Sequence, residues 1–556
     1  MSLTSRNFMS RLLQCAAIVL LGFSLLACGG DSDPGAPTGD RGGQDNQGNT
    51  DDDGDTDDDD SGAGAGDDDG SGDPGDDNDK PTATLSVGDV LGAKEMIAVT
   101  FSEPMDRDTL NVGGTLARGA TVTWKSEDAL ELATATYWPA GVQTLVIDAS
   151  DAEGLAMDTL ETSIDVKSGF ATFQSATVVI GQPDFNSGAP RQVPDAPMPG
   201  ANTLDRPSSA VDYVAETNRL YIPDSFDKRV LVYNGIPDVN NANADAVIGQ
   251  PDFHTSNGGT SQEAVRVVHG ISAQAGHLMI ADPDSHRVTI YRPLPESGVA
   301  AADVVLGQAN YEDFNNACGP LRMNHVHNQF VTPGGKLLVA DSNNNRVLVW
   351  NTIPDETGVP PDLVIGQSRL DTCAHNDNDQ NGVSIEDGLP SARTLRHPTG
   401  IWSDGERLVI ADNYNNRVLL WHEFPAENFA PADVVLGQGS MALTTPNDDN
   451  MDGAPDAAPS ARVVDYPWSV WFDKGQLFVA DANNNRVLVW NGWPTESFAP
   501  ADFVIGQADF TGNSPNAGND VPAANTLNHP MGVRVIHDKL LVTDTGNSRV
   551  LVFEAE

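Results

Sequence analysis

One phrase constrains this chain more than any other. ADSNNNRVLVW, Ala340 to Trp350, returns as ADNYNNRVLLW from Ala411 and as ADANNNRVLVW from Ala480. Looser copies begin at Pro223 (PDSFDKRVLVY), Ala281 (ADPDSHRVTIY) and Thr543 (TDTGNSRVLVF). Each sets an Asp five residues before an Arg: Asp224 and Arg229, Asp282 and Arg287, Asp341 and Arg346, Asp412 and Arg417, Asp481 and Arg486, Asp544 and Arg549. A second phrase, V-[IL]-G-Q, alternates with it and ends at Gln182, Gln250, Gln308, Gln367, Gln438 and Gln507, at intervals of 58 to 71 residues. A fixed period of this kind means units that cannot bury their apolar faces alone and must stack on copies of themselves.

One unit reads as four short strands. In PTGIWSDGERLVIADNYNNRVLLW, Pro398 to Trp421, GIW, RLVIAD and RVLLW are separated by polar turns, and ADVVLGQ follows as the fourth. Four antiparallel strands repeated six times predict an all-β, six-bladed β-propeller over 168–556. The units resemble NHL repeats, which pair a Pro-Gly first strand with a V-A-D-[ST]-x-N-x-R-[IV] hairpin. These repeats are longer than usual, and the first fits the first-strand pattern poorly. The region opens on a fourth-strand phrase, ATVVIGQ, and stops on a third strand, RVLVFEAE. Residues 176 to 182 should therefore complete the last blade, closing the ring and leaving no open sheet edge.

Upstream, three segments differ in composition. Residues 82–167 carry short alternating apolar runs (MIAVTFSEPMD, ATVTW, ALELAT, QTLVIDAS) between turn residues, the pattern of a β-sandwich. VTFSEPMD with LVIDASDAEG and TSIDV resembles bacterial Ig-like domains, which implies a spacer or stalk. Residues 29–81 are Asp, Gly, Ser, Asn and Pro with almost nothing apolar, a self-repelling tether that cannot offset ordering entropy. Residues 1–28 join Arg6 and Arg11 to an apolar run ending LLAC. That ending resembles a lipoprotein lipobox, which implies cleavage before Cys28 and acylation of its thiol. The expected location is the bacterial cell envelope, outer membrane or cell surface, with the membrane reached through the lipid anchor.

Charge excludes some functions. The formal net charge is −49. Residues 31 to 80 hold nineteen Asp against Arg41 and Lys80, and the remainder is still acidic. Such a surface does not attract nucleic acid or anionic lipid.

Because the Asp–Arg pair recurs in every unit, it reads as architecture: Asp and Asn suit tight turns, and Arg can return to its Asp or bridge to a neighbour. The repeated Gln should bond the next blade's main chain. Function should lie where the repeats disagree. Two long loops carry Asp377, Asp379, Asn381, Gly382 and Asp448, Asn450, Asp452, Gly453 at D-x-[DN]-x-[DN]-G spacing, as a calcium loop requires. Both lack the Glu at position twelve; Glu386, Asp387 or Asp456 could complete the shell. His397 and His529 occupy equivalent places before first strands, with His269 and the pair His325 and His327 near the same level. Imidazoles at one channel mouth could hold zinc or another transition metal. Cys318 and Cys373 follow successive G-Q phrases and form a disulfide candidate for an exported protein.

The reading that follows is a lipid-anchored binding or scaffold module for a protein, peptide or glycan, stiffened by calcium. The alternative is a metal-dependent propeller enzyme, lyase or lactonase-like, with a central-channel site. Hydrolase and nucleotide motifs are absent from the sequence.

Overall fold

The computed structural model describes residues 80–555 except 89, 92–95, 119, 135–137, 139–140, 167–168, 194–197 and 384–388. The signal segment, Cys28, nearly all of the tether, Glu386 and Asp387 lie outside the described residues. Among the described residues no helix is long and apolar enough to cross a membrane.

The first folded segment has two four-stranded sheets. One orders Ala83–Leu85, Ile97–Phe101, Ala129–Thr134 and Ala120–Trp124; the other orders Val90–Leu91, Leu160–Val166, Gly141–Asp151 and Met105–Gly113. Alternation drives the burial: Ile97, Val99 and Phe101 point inward while Thr100 is exposed. These three join Leu130, Leu132, Leu145, Ile147 and Ile164 in one core shared by both sheets.

The repeats form six four-stranded antiparallel sheets. Sheet four is representative, with strands Pro398–Ser403, Leu408–Asp412, Arg417–Trp421 and Val434–Leu436 in spatial order. Sheet six takes Pro530–Ile536, Lys539–Asp544 and Arg549–Glu554 from the end of the chain, and its outer strand, Val178–Ile180, from before sheet one. Val178, Val179 and Ile180 pair with Val552, Leu551 and Val550.

Each sheet shares an apolar core with the next, and sheet six shares one with sheet one: Val178, Ile180, Val550 and Val552 pack with Leu220, Ile222, Leu231 and Tyr233. The all-β arrangement is propeller-like. A polar cavity of about 30 Å³ marks its axis, lined from all six sheets by Asp212, Gln274, Gln329, Ile401, Trp471 and Arg534 among others.

The repeated residues hold this arrangement together. All six Asp–Arg pairs are fully buried. In sheet three Arg346 Nε donates to Asp341 at 2.8 Å, one terminal nitrogen donates to the Leu370 carbonyl beyond the outer strand, and the other to Gly319 and Arg322 before the inner strand. One guanidinium thus ties a hairpin to the loops entering and leaving its own sheet. Sheet two is the loosest copy, with Arg287 Nε 3.4 Å from Asp282. Each Gln amide donates back into its own hairpin, as Gln367 does to Asn345 O (3.1 Å), and to its own loop at Ala374 O (2.8 Å). Among the described residues none of these amides makes the expected bond to the next blade's main chain, although Gln308 accepts from the Arg322 side chain ahead of sheet three at 3.2 Å. The preceding glycines need their positive φ: at Gly437 (+85°) an added Cβ would meet Val464 Cγ2 at 2.4 Å.

Candidate metal centre at the channel mouth

The inner strands begin irregularly, and the irregularity presents side chains to the axis. Residues just before them, Arg206, His325, His397, Tyr466 and His529, all have φ between +50° and +62°. Register slips immediately afterwards, between Val326 and Asn328 in sheet three and between Pro398 and Ile401 in sheet four. Two anchors fix this backbone. The hairpin Asp accepts from the preceding amide, as Asp412 does from Arg396 at 2.6 Å. The previous sheet's turn accepts from the residue itself: Asn345 from His397 (3.0 Å), Asn416 from Tyr466 (2.9 Å) and Asn485 from His529 (2.7 Å). In sheet three the acceptor is a ring, with His286 Nδ1 receiving the His325 amide at 2.9 Å.

These anchors converge three imidazoles from adjacent sheets. One ligand atom from each of His325, His327 and His397 lies within 4.8 Å of the others. Ligands of one tetrahedral zinc, each bonded at about 2.0–2.1 Å, stand roughly 3.4 Å apart, so small ring rotations would complete a site. His327 and His397 are buried and His325 is half-buried. The Nδ1 atoms of all three are buried without a hydrogen-bond partner. Buried polar atoms ordinarily find partners, so three neighbouring rings that each carry an orphaned nitrogen fit a site that takes a cation.

Electrostatics keep these rings in the ligating form. Burial, then the neighbouring His325, pushes His397 down to about 3. The same causes in the same order push His269 down to about 3. Burial depresses His327 well below the usual imidazole range, with His269 and His397 adding to it, and burial also lowers His325. Neutral imidazole is the state that binds a transition metal.

Aromatic rings surround the trio. His269 stacks on His327 with centroids 4.7 Å apart, Tyr414 lies flat on His397 at 4.1 Å, and Trp468 stands 5.1 Å from His327. His269 is therefore a wall of the site. His529 does not join the trio: it belongs to sheet six, opposite sheet three around the ring, and its ring contact is with Tyr466 at 6.2 Å. His286, Tyr414 and Trp468 were not singled out by the sequence reading. Trp468 was reachable, because it follows Tyr466 by two residues as His327 follows His325.

The other expected sites are placed as follows. Cys318 and Cys373 form a disulfide, with Cα atoms 6.1 Å apart, linking the loops that lead into sheets three and four. The two Asp-rich loops fold alike. Asp377 accepts from the amides of Asn381 (3.1 Å) and Gly382 (2.8 Å), and Asp448 from those of Asp452 (3.1 Å) and Gly453 (2.9 Å). Asp379 accepts from Asn381, and Asn450 from Asp452. Asp456 turns inward to Asn450 at 2.7 Å. The side-chain oxygens serve their own loops; among the described residues the imidazole trio is the only set of three such groups gathered at one point.

No family model matches the sequence, and no curated protein matches it. Among solved structures, a structural genomics protein from Bacteroides thetaiotaomicron is similar at 12% identity and TM-score 0.46, covering 86% of this chain and 99% of its own. An auxiliary nutrient binding protein from the same organism is similar at 13% identity and TM-score 0.39, with the same coverage. Virginiamycin B lyase from Staphylococcus aureus is similar at 8% identity and TM-score 0.31, covering 80% and 99%. Function is therefore read from the site itself.

Proposed function

We propose that this is an exported envelope protein, anchored by acylation of Cys28, in which the 29–81 tether and an Ig-like module at 82–167 carry a six-bladed NHL-like propeller. The propeller is a binding module for an extracytoplasmic protein, peptide or glycan, built around a transition-metal centre of His325, His327 and His397. The observation that carries this reading is the convergence of three imidazoles, each with a buried and unpartnered Nδ1. Calcium in the loops at Asp377, Asp379, Asn381 and Asp448, Asn450, Asp452 would stiffen the face around that centre.

The test is metal analysis of the purified full-length chain. About one zinc per chain is expected after dialysis against trace metal, falling to background in His327→Ala/His397→Ala. Equal metal in wild type and variant sinks the proposal. For the anchor, a palmitate analogue should label wild type and not Cys28→Ser.

A metal-dependent lyase or lactonase-like enzyme is the second reading. It is favoured by one observation: three such side chains, and no fourth among the described residues, gather at this point, so a tetrahedral metal held by them would have a position to offer a substrate oxygen, as catalytic zinc sites do. Screening peptide and glycan arrays against the His327→Ala/His397→Ala protein separates the two. A binding module with a structural metal keeps its ligand; a catalyst loses turnover and keeps no other function.

A further inference from the structure

One sheet junction lacks the aromatic rings that fill another. At the junction of sheets four and five, on the face away from the imidazoles, three rings enclose a guanidinium. Arg407 lies 5.8 Å from the Trp402 ring, 4.9 Å from Phe472 and 4.4 Å from Trp493, and it is held by Asp404 at 2.8 Å. The rings also pack on one another, Phe472 on Trp493 at 5.2 Å and Trp402 on Phe472 at 5.3 Å.

The junction of sheets one and two has the same scaffold without the rings. Arg219 stands five residues before Asp224 as Arg407 stands five before Asp412. Counting from the hairpin Asp and Arg of the following sheet, Phe472 is replaced by Ala273 and Trp493 by Leu294. Trp402, which pairs with Val409, gives way to Asp212, which pairs with Tyr221; Asp212 turns to the Ala273 amide (2.7 Å) and to Arg534 (2.8 Å). A cleft of about 540 Å³ opens there, lined by Tyr213, Tyr221, Arg219, Ala273 and Leu294 among others. That volume lies within the usual range for small-molecule sites, roughly 300–1,000 Å³.

Two further observations say what would fill it. Tyr221 is fully buried and lines the cleft, and its hydroxyl has no partner at hydrogen-bonding geometry although the Arg219 guanidinium lies beside it. The rim carries Glu216 and Glu296, both exposed, against the one cation Arg219. We propose that this cleft binds a small aromatic amine. Its ring would occupy the space that Phe472 and Trp493 fill at the other junction, stacked on the Arg219 guanidinium. Its ammonium group would meet Glu216 and Glu296, and a ring hydroxyl could reach Tyr221. This site is separate from the imidazole centre and does not rest on it.

The experiment is calorimetric titration of the full-length chain, in detergent, with tyramine and with 4-hydroxyphenylacetate. Tyramine should give saturable heat, and the carboxylate analogue should bind at least tenfold more weakly. Ala273→Phe/Leu294→Trp, which installs the rings of the other junction, should abolish tyramine binding. Glu216→Gln/Glu296→Gln, confined to the exposed rim, should weaken tyramine by tenfold or more and leave the carboxylate analogue no weaker, which keeps the test decisive if the filled variant does not fold. No heat with tyramine, equal affinity for both probes, or unchanged tyramine affinity in the rim variant overturns the proposal.

Discussion

Asn376 and Asn415 exchange two amide hydrogen bonds, each 2.9 Å long, inside the protein. The positions recur nine residues after a G-Q glutamine and three after a hairpin Asp. Asn447 and Asn484 make the same exchange at 3.0 and 2.8 Å, and Asn516 and Asn547 at 3.4 and 2.8 Å. In sheet one the two places hold Arg191 and Asp227, joined at 2.9 Å. A neutral amide pair and an ion pair thus do the same work of pinning a crossing loop to a hairpin. Asn415→Ala leaves a buried Asn376 amide unpaired and should cost about 1–3 kcal/mol by urea denaturation. Adding Asn376→Ala should cost less than the sum of the single changes; strict additivity would mean the exchange carries no coupling energy.

The Asp–Arg clamp should be far less tolerant. Arg346→Ala strands a fully buried Asp341 and frees three loop carbonyls, and a destabilisation of roughly 3–5 kcal/mol is expected. Arg346→Lys should not rescue it, since an ammonium cannot span the same fork of acceptors. A lysine variant unfolding at the wild-type urea midpoint would contradict this.

The Cys318–Cys373 bridge closes a sequence separation of 55 residues. Replacing both cysteines by Ser should lower stability by about 2–4 kcal/mol and make the unfolding midpoint insensitive to reductant. A wild-type midpoint that does not move on reduction would count against it.

Acid stability should report on His529. Burial lowers its pKa below the ordinary 6.5. The unfolded chain therefore binds a proton that the folded chain refuses, and stability falls as pH drops below about 6.5, by at most roughly 1.4 kcal/mol per pH unit for this group. Above that pH the contribution is fully present. Thermal melts of His529→Gln between pH 7 and 5 should show a shallower decline than wild type; parallel curves would show that His529 is not the titrating group.

Calcium binding to the Asp-rich loops should appear as heat on titration and should vanish in Asp379→Ala/Asp452→Ala. Absence of heat, or heat that survives the double change, removes calcium from the account.

The sequence made the repeat and its strands readable because each repeated residue answers a backbone demand that does not depend on distant neighbours. Asn345, Asn416 and Asn485 sit at φ of 56°, 50° and 55°, where Asn is among the residues most tolerant of a left-handed turn. The exchange between Asn376 and Asn415 was hidden because its partners stand 39 residues apart and look like ordinary loop and turn asparagines. The imidazole trio was legible only as a set of candidates. His325 and His327 share a face by their spacing, but choosing His397 over His529 required knowing which sheets are neighbours around the ring. Arg219 gave no signal in one dimension at all; its cleft exists because Ala273 and Leu294 stand where another junction has rings.

The pairing of Val179 with Leu551 also sets a clock. Strand Val178–Ile180 is among the first parts of the repeat region to be made, and its partner Arg549–Glu554 is the last strand of the chain. At synthesis rates of about 5–20 residues per second, the early strand waits on the order of 20 to 70 seconds with its edge uncovered. Until Arg549–Glu554 emerges, the outer strand Val178–Ile180 has no third strand to pair with and sheet one has no neighbour on that side. A chain that terminates early therefore cannot be a slightly shorter version of this protein; it is one with two sticky ends, and quality control would meet it as such.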